Sequence, residues 1–161
     1  MSNVLAVLPA LSSTFCKGAI TVATQQIFVN LPVSNLDKTM GFFTALGYRF
    51  NPQFTDKNAA CMIVSEDHIY VMLLVEPFFR TFTTKPVADA RQSTEVLLCL
   101  SCDSRTAVDE MVRKAVAAGA STPRPPQDHG FMYQHGYQDL DGHIWELIYM
   151  DPNAVPGHTG S

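Results

Sequence analysis

The first apolar stretch, QIFVNLPV at residues 26–33, predicts a β-strand because it is rich in β-branched residues. Ser34 and Asn35 follow as candidate helix caps, and apolar residues then recur at spacings of four, three and three along one helical face, which ends at Gly47. Three further apolar runs, each separated from the next by polar turn residues, follow this helix. They predict strands at 48–54, 59–65 and 69–76.

The same pattern returns in the second half of the chain. A strand is predicted at 95–102, and Asp103 and Ser104 are predicted to cap a helix that ends at Gly119. A proline-broken edge segment and two strands follow it, at 121–130, 131–139 and 143–150. The chain therefore reads as two βαβββ modules that share a core, and the repeat rests on element order rather than on sequence identity.

The remaining segments lack this periodicity. Residues 77–94 carry two prolines and predict a connector on the surface, near a pocket or a partner chain. The modules therefore span residues 26–76 and 95–152, within one domain at 26–152. Residues 1–25 are predicted to form a poorly ordered extension, and residues 153–161 a tail.

Composition narrows the class of protein. Hydrophobic residues make up 47% of the chain, which is enough for a packed core. The net charge is −4 and no basic stripe occurs, so nucleic acid is not an expected partner. No apolar run approaches the roughly 20 residues that cross a membrane. Cys61 and Cys99 lie in apolar runs and are predicted to be buried thiols, which favours a reducing, cytoplasmic location.

One carboxylate stands out in the last strand, HIWELIYM. Alternation places Glu146 on one face with Ile144 and Ile148, while Trp145 and Leu147 take the other. Both faces are mostly apolar, so both are expected to be covered. A carboxylate there must be paired, bind a metal, or have its pKa raised until it is neutral. This makes Glu146 the candidate catalytic residue.

Two motifs carry a resemblance to a known superfamily. The stretch DLDGHIWELIYMDP at 139–152 resembles the last strand of the vicinal oxygen chelate superfamily, which is marked by a DPDGH-x-x-E pattern, and LPVSNLDKTMGFFTALGY at 31–48 resembles the entry of its first module. The superfamily includes glyoxalase I, extradiol dioxygenases, and fosfomycin and bleomycin resistance proteins. The resemblance covers about residues 26–152. It implies an α+β fold in which two βαβββ modules form a cupped mixed sheet around a cavity, often within a homodimer.

The resemblance also implies a position for a divalent metal. Metal-using members bind the ion with residues on four strands, and Glu146 occupies the last of these positions. The other positions fall at Phe28, at Glu95 or Val96, and near Glu76. Phe28 cannot bind a metal, so at most three carboxylates and no histidine remain. Such a set suits Mg, Ca or Mn better than Zn. The expected state is one without a cofactor, with a divalent metal as the alternative.

Six residues are predicted to bind a substrate or ligand because they are expected to face the same cavity. Tyr133 and His135 are predicted to face Glu146 on the adjacent strand, where a His–Glu contact would hold a proton near neutral pH. The full set is Phe28, Asn30, Met72, Phe131, Tyr133 and His135.

Three functions are compatible with these residues. The favoured one is a small-molecule-binding protein with an apolar cavity and a buried carboxylate. The second is a divalent-metal-dependent lyase, isomerase or dioxygenase that uses Glu146, Glu95 and Glu76. The third is a metal-free enzyme with Glu146 as general base and Tyr133 or His135 as its partner. Whether the protein is an enzyme is left open by the sequence.

Overall fold

A computed structural model describes residues 25–154. The predicted extension, all but its last residue, and most of the predicted tail lie outside the described residues. No helix within 25–154 is long and apolar enough to cross a membrane.

The first module folds in the predicted order and forms one four-stranded sheet. Its sheet order is β1-β4-β3-β2, with β1 parallel to β4 and the other pairs antiparallel. The predicted strand at 48–54 is shorter than expected, because Pro52 begins a 3-10 turn and lacks the N–H that a ladder needs. The elements are β1 (Ile27–Val33), α1 (Leu36–Leu46), β2 (Arg49–Asn51), β3 (Ala59–Ser65) and β4 (Ile69–Val75).

The second module repeats this arrangement. Its sheet order is β5-β8-β7-β6, again with one parallel pair, β5 and β8. Ser104 caps the helix, since its hydroxyl accepts a hydrogen bond from the Ala107 N–H at 3.0 Å. The proline-rich edge forms only a two-residue strand and one bridge, Ser121 to Gln138. The elements are β5 (Leu97–Ser101), α3 (Arg105–Ala117), β6 (Gln127–Asp128), β7 (Met132–Gln138) and β8 (Ile144–Met150).

The connector between the modules begins with a short helix, α2 (Glu76–Phe79), and a 3-10 turn at Arg80–Phe82. Glu76, which the sequence assigned to the end of a strand, therefore opens α2 instead. Pro77 explains the change, because its fixed φ suits the first turn of a helix and it cannot donate to a strand ladder.

One core joins the two modules. Phe43 on α1 and Trp145 on β8 are both fully buried, and their ring centroids lie 5.2 Å apart at an interplanar angle of 63°. Tyr137 on β7 also packs against Trp145. Burial of each large side chain stabilises the fold by about 1.5–3 kcal/mol. The α+β fold of two βαβββ modules is thus confirmed, with the mixed sheet divided into two four-stranded sheets.

Each sheet has one face in this core and one outer face. On β1 the residues Leu31 and Val33 are buried, whereas Phe28 on the outer face is 48% exposed. On β5, Leu98 packs against the core and Leu97 is 50% exposed. The outer faces are therefore the surfaces on which a ligand site can form.

Candidate functional site

Glu146 lies on the outer face of the second sheet, as the alternation along β8 predicts. Its neighbours Trp145 and Leu147 are buried in the core, and Glu146 itself is half-buried on the opposite face. The carboxylate has one polar contact among the described side chains. Gln134 on β7 donates a hydrogen bond from Nε2 to Glu146 Oε1 at 3.1 Å. The second carboxylate oxygen accepts no hydrogen bond from residues 25–154 and remains available to a ligand.

A cavity of about 210 Å³ opens beside this carboxylate. Its apolar walls come from the edge strand and from a proline-rich segment, and two charged groups, Glu146 and Arg124, take part in the lining. The lining residues are Leu97, Pro123, Arg124, Pro125, Gln127, Gln134, His135, Gly136, Ile144 and Glu146. A few polar groups in a partly apolar cavity are typical of a small-molecule site.

Gly136 lies directly opposite Glu146 in the antiparallel pair of β7 and β8. A Cβ atom at this position would lie 2.6 Å from the backbone oxygen of Trp145, which is too close for a side chain. The two strands therefore approach each other closely at this point. The missing side chain leaves the surface beside Glu146 open.

Cys99 is the neighbour of Glu146 on the parallel strand β5, and the register pairs the two residues. It is exposed, whereas the sequence predicted a buried thiol. The reason is that alternation places Cys99 on the outer face of an edge strand. The side chain is exposed but partly desolvated, which raises the pKa of its thiol, and the charge of Glu146 raises it further, so both effects disfavour the thiolate.

Alternation along β7 turns the side chains of Tyr133 and His135 to the face opposite to Glu146, although His135 is among the residues that line the Glu146 cavity. The predicted His135–Glu146 contact is wrong, because the register sets Gly136 opposite Glu146 and turns His135 toward α3. The Tyr133 hydroxyl donates to Asp109 Oδ1 at 2.7 Å, and His135 Nδ1 lies 3.8 Å from the same oxygen. The hydrogen bond to Asp109 is the main cause of a raised pKa of Tyr133.

The other predicted ligand-binding residues lie apart from Glu146. Phe28, Asn30 and Met72 share the outer face of the first sheet, where Asn30 and Met72 are register partners. Phe28 stacks on Tyr70 with ring centroids 4.9 Å apart. Phe131 precedes β7 and does not line the cavity of Glu146.

The three candidate metal ligands are not brought together within one chain. Glu146, Glu95 and Glu76 line three different cavities, and Glu76 forms an ion pair with Arg80. Over residues 25–154 no group of three or more His, Cys, Asp or Glu side chains is placed to hold a metal ion. A divalent ion needs several oxygen ligands within about 2.0–2.6 Å. These carboxylates therefore do not fit a divalent ion in the single chain.

A second cavity, of about 280 Å³, lies between β1 and the connector. Asn30 and Glu95 line it, together with Lys85, His143 and several connector residues between 79 and 94. The connector thus borders a pocket.

The polar turn that precedes Glu146 links the two modules. Asp141 Oδ1 accepts hydrogen bonds from the Ser34 N–H at 2.8 Å and from the Ser34 hydroxyl at 2.6 Å, and its Oδ2 accepts one from the Thr39 hydroxyl at 2.7 Å. His143 Nε2 contacts the Pro32 carbonyl oxygen at 2.8 Å. These partners belong to the first module, so the DLDGH turn is a structural link and its side chains are already engaged.

The same turn requires glycine at its fourth position. Gly142 has a φ of 99°, and a Cβ atom there would lie 2.6 Å from the Arg91 backbone nitrogen. The connector therefore packs directly on the turn. This close approach explains why the turn, the connector and β1 together enclose the second cavity.

Of the residues that line the Glu146 cavity, the sequence predicted only Glu146 and His135 as site residues, and the missed ones include the polar side chains of Gln134 and Arg124. Alternation along β7 places Gln134 on the face opposite to Tyr133. Its contact with Glu146, however, depends on the register of β7 and β8, which the sequence does not give. Arg124 lies in the proline-broken segment 121–130, where no periodicity predicts a direction. Its charge in an otherwise neutral segment, STPRPPQ, was the available signal.

Comparison with known proteins gives one family match, over part of the chain, and several solved structures with a similar fold. The family described as bleomycin resistance protein-like N-terminal matches residues 25–65. No curated protein sequence matches the chain. Hypothetical protein SA1046 from S. aureus has a similar structure, with a TM-score of 0.68 and 24% identity over 78% of this chain and 94% of that one.

Two further solved structures share the fold. A glyoxalase/bleomycin resistance protein/dioxygenase family enzyme from Burkholderia phytofirmans PsJN gives a TM-score of 0.65 at 16% identity, over 80% of this chain and 100% of that one. A bleomycin resistance determinant encoded on the transposon Tn5 gives 0.57 at 20% identity, over 80% and 99%. The match over residues 25–65 and the shared fold agree with the resemblance carried by the motifs of the chain.

Proposed function

We propose that this protein binds a small molecule in the cavity beside Glu146. The observation that carries the proposal is a half-buried carboxylate with one free oxygen in a cavity of about 210 Å³ whose other walls include Leu97, Ile144 and Pro123. A partly desolvated carboxylate with too few protein partners is stabilised when a ligand supplies hydrogen-bond donors. This stabilisation favours binding of such a ligand.

A metal-dependent lyase, isomerase or dioxygenase is less well supported. Its three carboxylates line three different cavities of the chain, and no step can be assigned to an ion that they do not jointly hold. The metal-free enzyme is also less well supported, because Tyr133 and His135 contact Asp109 on the other side of the sheet. Glu146 remains the residue that would act as a base.

A homodimer would complete the proposed site. The outer faces carry large apolar side chains that the single chain leaves exposed, among them Phe28 at 48%, Leu97 at 50% and Met150 at 44%. Exposed apolar side chains on a sheet face gain stability when a partner surface covers them. A second copy that covers these faces would close the cup around the ligand, and sedimentation equilibrium would report the corresponding mass.

The binding proposal can be tested with a neutral fluorescent probe, N-phenyl-1-naphthylamine, and a variant that fills the cavity. Leu97→Trp places a large side chain in the cavity wall, so we expect at least a tenfold weaker Kd for the probe. Val116→Trp is the matched control, because Val116 is similarly exposed, at 47%, on α3 outside the cavity. The proposal would be contradicted if the wild type did not bind the probe, or if Leu97→Trp and Val116→Trp weakened binding equally.

A further inference from the structure

The cavity beside Glu146 contains two opposite charges that do not pair with each other. The Glu146 carboxylate receives only the Gln134 amide, and Arg124 forms no hydrogen bond or ion pair with any residue between 25 and 154. Both side chains nevertheless line the same cavity of about 210 Å³. The Glu146 carboxylate and the Arg124 guanidinium group therefore lie at one cavity, and both are available to a bound ligand.

The Gln134 amide fixes the kind of group that Glu146 can receive. Because Gln134 Nε2 donates to Glu146 Oε1, the amide oxygen of Gln134 and the second oxygen of Glu146 are both acceptors. A group that satisfies two acceptors beside a negative charge is a cationic nitrogen with several N–H donors. An ammonium group, which carries three donors, meets this requirement.

Arg124 provides the complementary requirement. Its guanidinium group presents only donors, in a planar fork that matches a carboxylate. It lies in the exposed proline-rich segment, flanked by Pro123 and Pro125, and all three residues line the cavity. The two prolines restrict the backbone on either side of Arg124, which limits the entropy lost when the side chain engages an anion.

The remaining lining sets the size and character of the ligand. Leu97 and Ile144 add an apolar surface between the charged groups and the strand edge. The cavity volume is below the roughly 300–1,000 Å³ of pockets that take drug-sized molecules, so the ligand is compact. We infer that the protein binds a compact zwitterion, an amino-carboxylate with an apolar body, whose ammonium group contacts Glu146 and Gln134 and whose carboxylate contacts Arg124. This inference rests on the proposed function and names its ligand class.

Three probes with the same phenyl body and different charges test the inference by isothermal titration calorimetry on the full chain. L-Phenylalanine carries both charges, phenethylamine only the cation, and 3-phenylpropionate only the anion. We expect phenylalanine to bind at least fivefold more tightly than either of the others, because it alone satisfies Glu146 and Arg124 together.

Two variants assign each charge to its side chain. Glu146→Gln should weaken phenylalanine and phenethylamine at least tenfold and leave 3-phenylpropionate within twofold. Arg124→Met should weaken phenylalanine and 3-phenylpropionate to a similar extent and leave phenethylamine within twofold. Glu110→Gln and Arg113→Met are matched controls, because these residues pair with each other on α3, outside the cavity.

The outcomes separate this inference from the proposed function. Equal affinity for the three probes, no phenylalanine binding, or equal effects of site and control variants would overturn the zwitterion class. Phenylalanine could fail to bind while the neutral probe still binds the wild type and binds Leu97→Trp more weakly. In that case the cavity binds another class of ligand, and only this inference fails. If the neutral probe also fails to bind, the proposed function falls with it.

Discussion

At the residue scale, two tyrosines on the core-side face of β7 differ in what their hydroxyl groups contact. The Tyr133 hydroxyl donates to Asp109 at an exposed position, and Arg105 lies 5.4 Å from its ring centroid. The Tyr137 hydroxyl is buried and has no hydrogen-bond partner among the described residues. Burial also raises the pKa of Tyr137, since a phenolate there would lose its hydration. The core therefore contains one hydroxyl group that costs stability.

We expect Tyr137→Phe to stabilise the fold. The substitution keeps the ring that packs on Trp145 and removes an unsatisfied polar atom, so the free energy of unfolding should rise by about 1 kcal/mol. Urea denaturation measures the change. Tyr133→Phe is the matched control and should lower the same free energy by about 0.5 kcal/mol, because it loses an exposed hydrogen bond. A loss of stability in Tyr137→Phe would mean that a buried water satisfies this hydroxyl.

Individual residues were only partly predictable from the sequence. The position of Glu146 on the outer face followed from alternation, because a strand has a fixed period of two. The exposure of Cys99 did not, since an apolar run cannot distinguish a strand in the centre of a sheet from one at its edge. The contacts of the DLDGH turn with Ser34 and Thr39 also could not be predicted, because they join residues about 100 positions apart in the chain.

At the element scale, the close approach of the paired strands β7 and β8 at Gly136 determines the shape of the site. Gly136 allows the backbone of β7 to approach Trp145 and leaves the surface beside Glu146 open. The element order and helices α1 and α3 followed from the apolar pattern, and the polar residues before each helix narrowed its cap to two candidates, whereas α2 was not predicted. The pairing register did not, because a shift by one residue reverses both faces of a strand and leaves its own pattern unchanged. This is why His135 was expected to contact Glu146.

We expect Gly136→Ala to destabilise the protein strongly. Its Cβ atom would lie 2.6 Å from a backbone oxygen, so the strands must separate, and the free energy of unfolding should fall by about 2 kcal/mol or more. Gly41→Ala is the matched control, because Gly41 lies within α1 with no atom in reach of an added Cβ. Alanine favours a helix over glycine by about 1 kcal/mol, so this variant should be at least as stable as the wild type. Equal changes in the free energy of unfolding for the two substitutions would contradict the importance of the close approach of β7 and β8 at Gly136.

At the scale of the whole molecule, two modules with separate sheets unfold together only if their connections are strong. The shared core supplies one connection, through Phe43 and Trp145. The DLDGH turn supplies a polar one, since Asp141 accepts hydrogen bonds from Ser34 and Thr39 of the first module. The ligand cavity lies wholly within the second module, so its shape depends on how firmly that module is held against the first.

We therefore expect Asp141→Ala to weaken the coupling between the modules. The variant removes the acceptor of three hydrogen bonds and leaves both Ser34 donors without their partner, whereas the Thr39 hydroxyl can still donate to the Asn35 carbonyl oxygen. The free energy of unfolding should therefore fall by about 2 kcal/mol. The slope of the urea transition should also fall if one module begins to unfold before the other. Asp103→Ala is the matched control, because Asp103 is exposed and its side chain makes no hydrogen bond with the residues in 25–154.

The two parts of this expectation have different meanings. A lower free energy with an unchanged slope would show that the turn stabilises a molecule that still unfolds as one unit, held together by the aromatic core. A lower free energy with a reduced slope would show that the turn is needed for that cooperativity. If Asp141→Ala behaves like Asp103→Ala in both quantities, the hydrogen bonds to Ser34 and Thr39 contribute nothing, and the shared core alone must hold the Glu146 cavity in place.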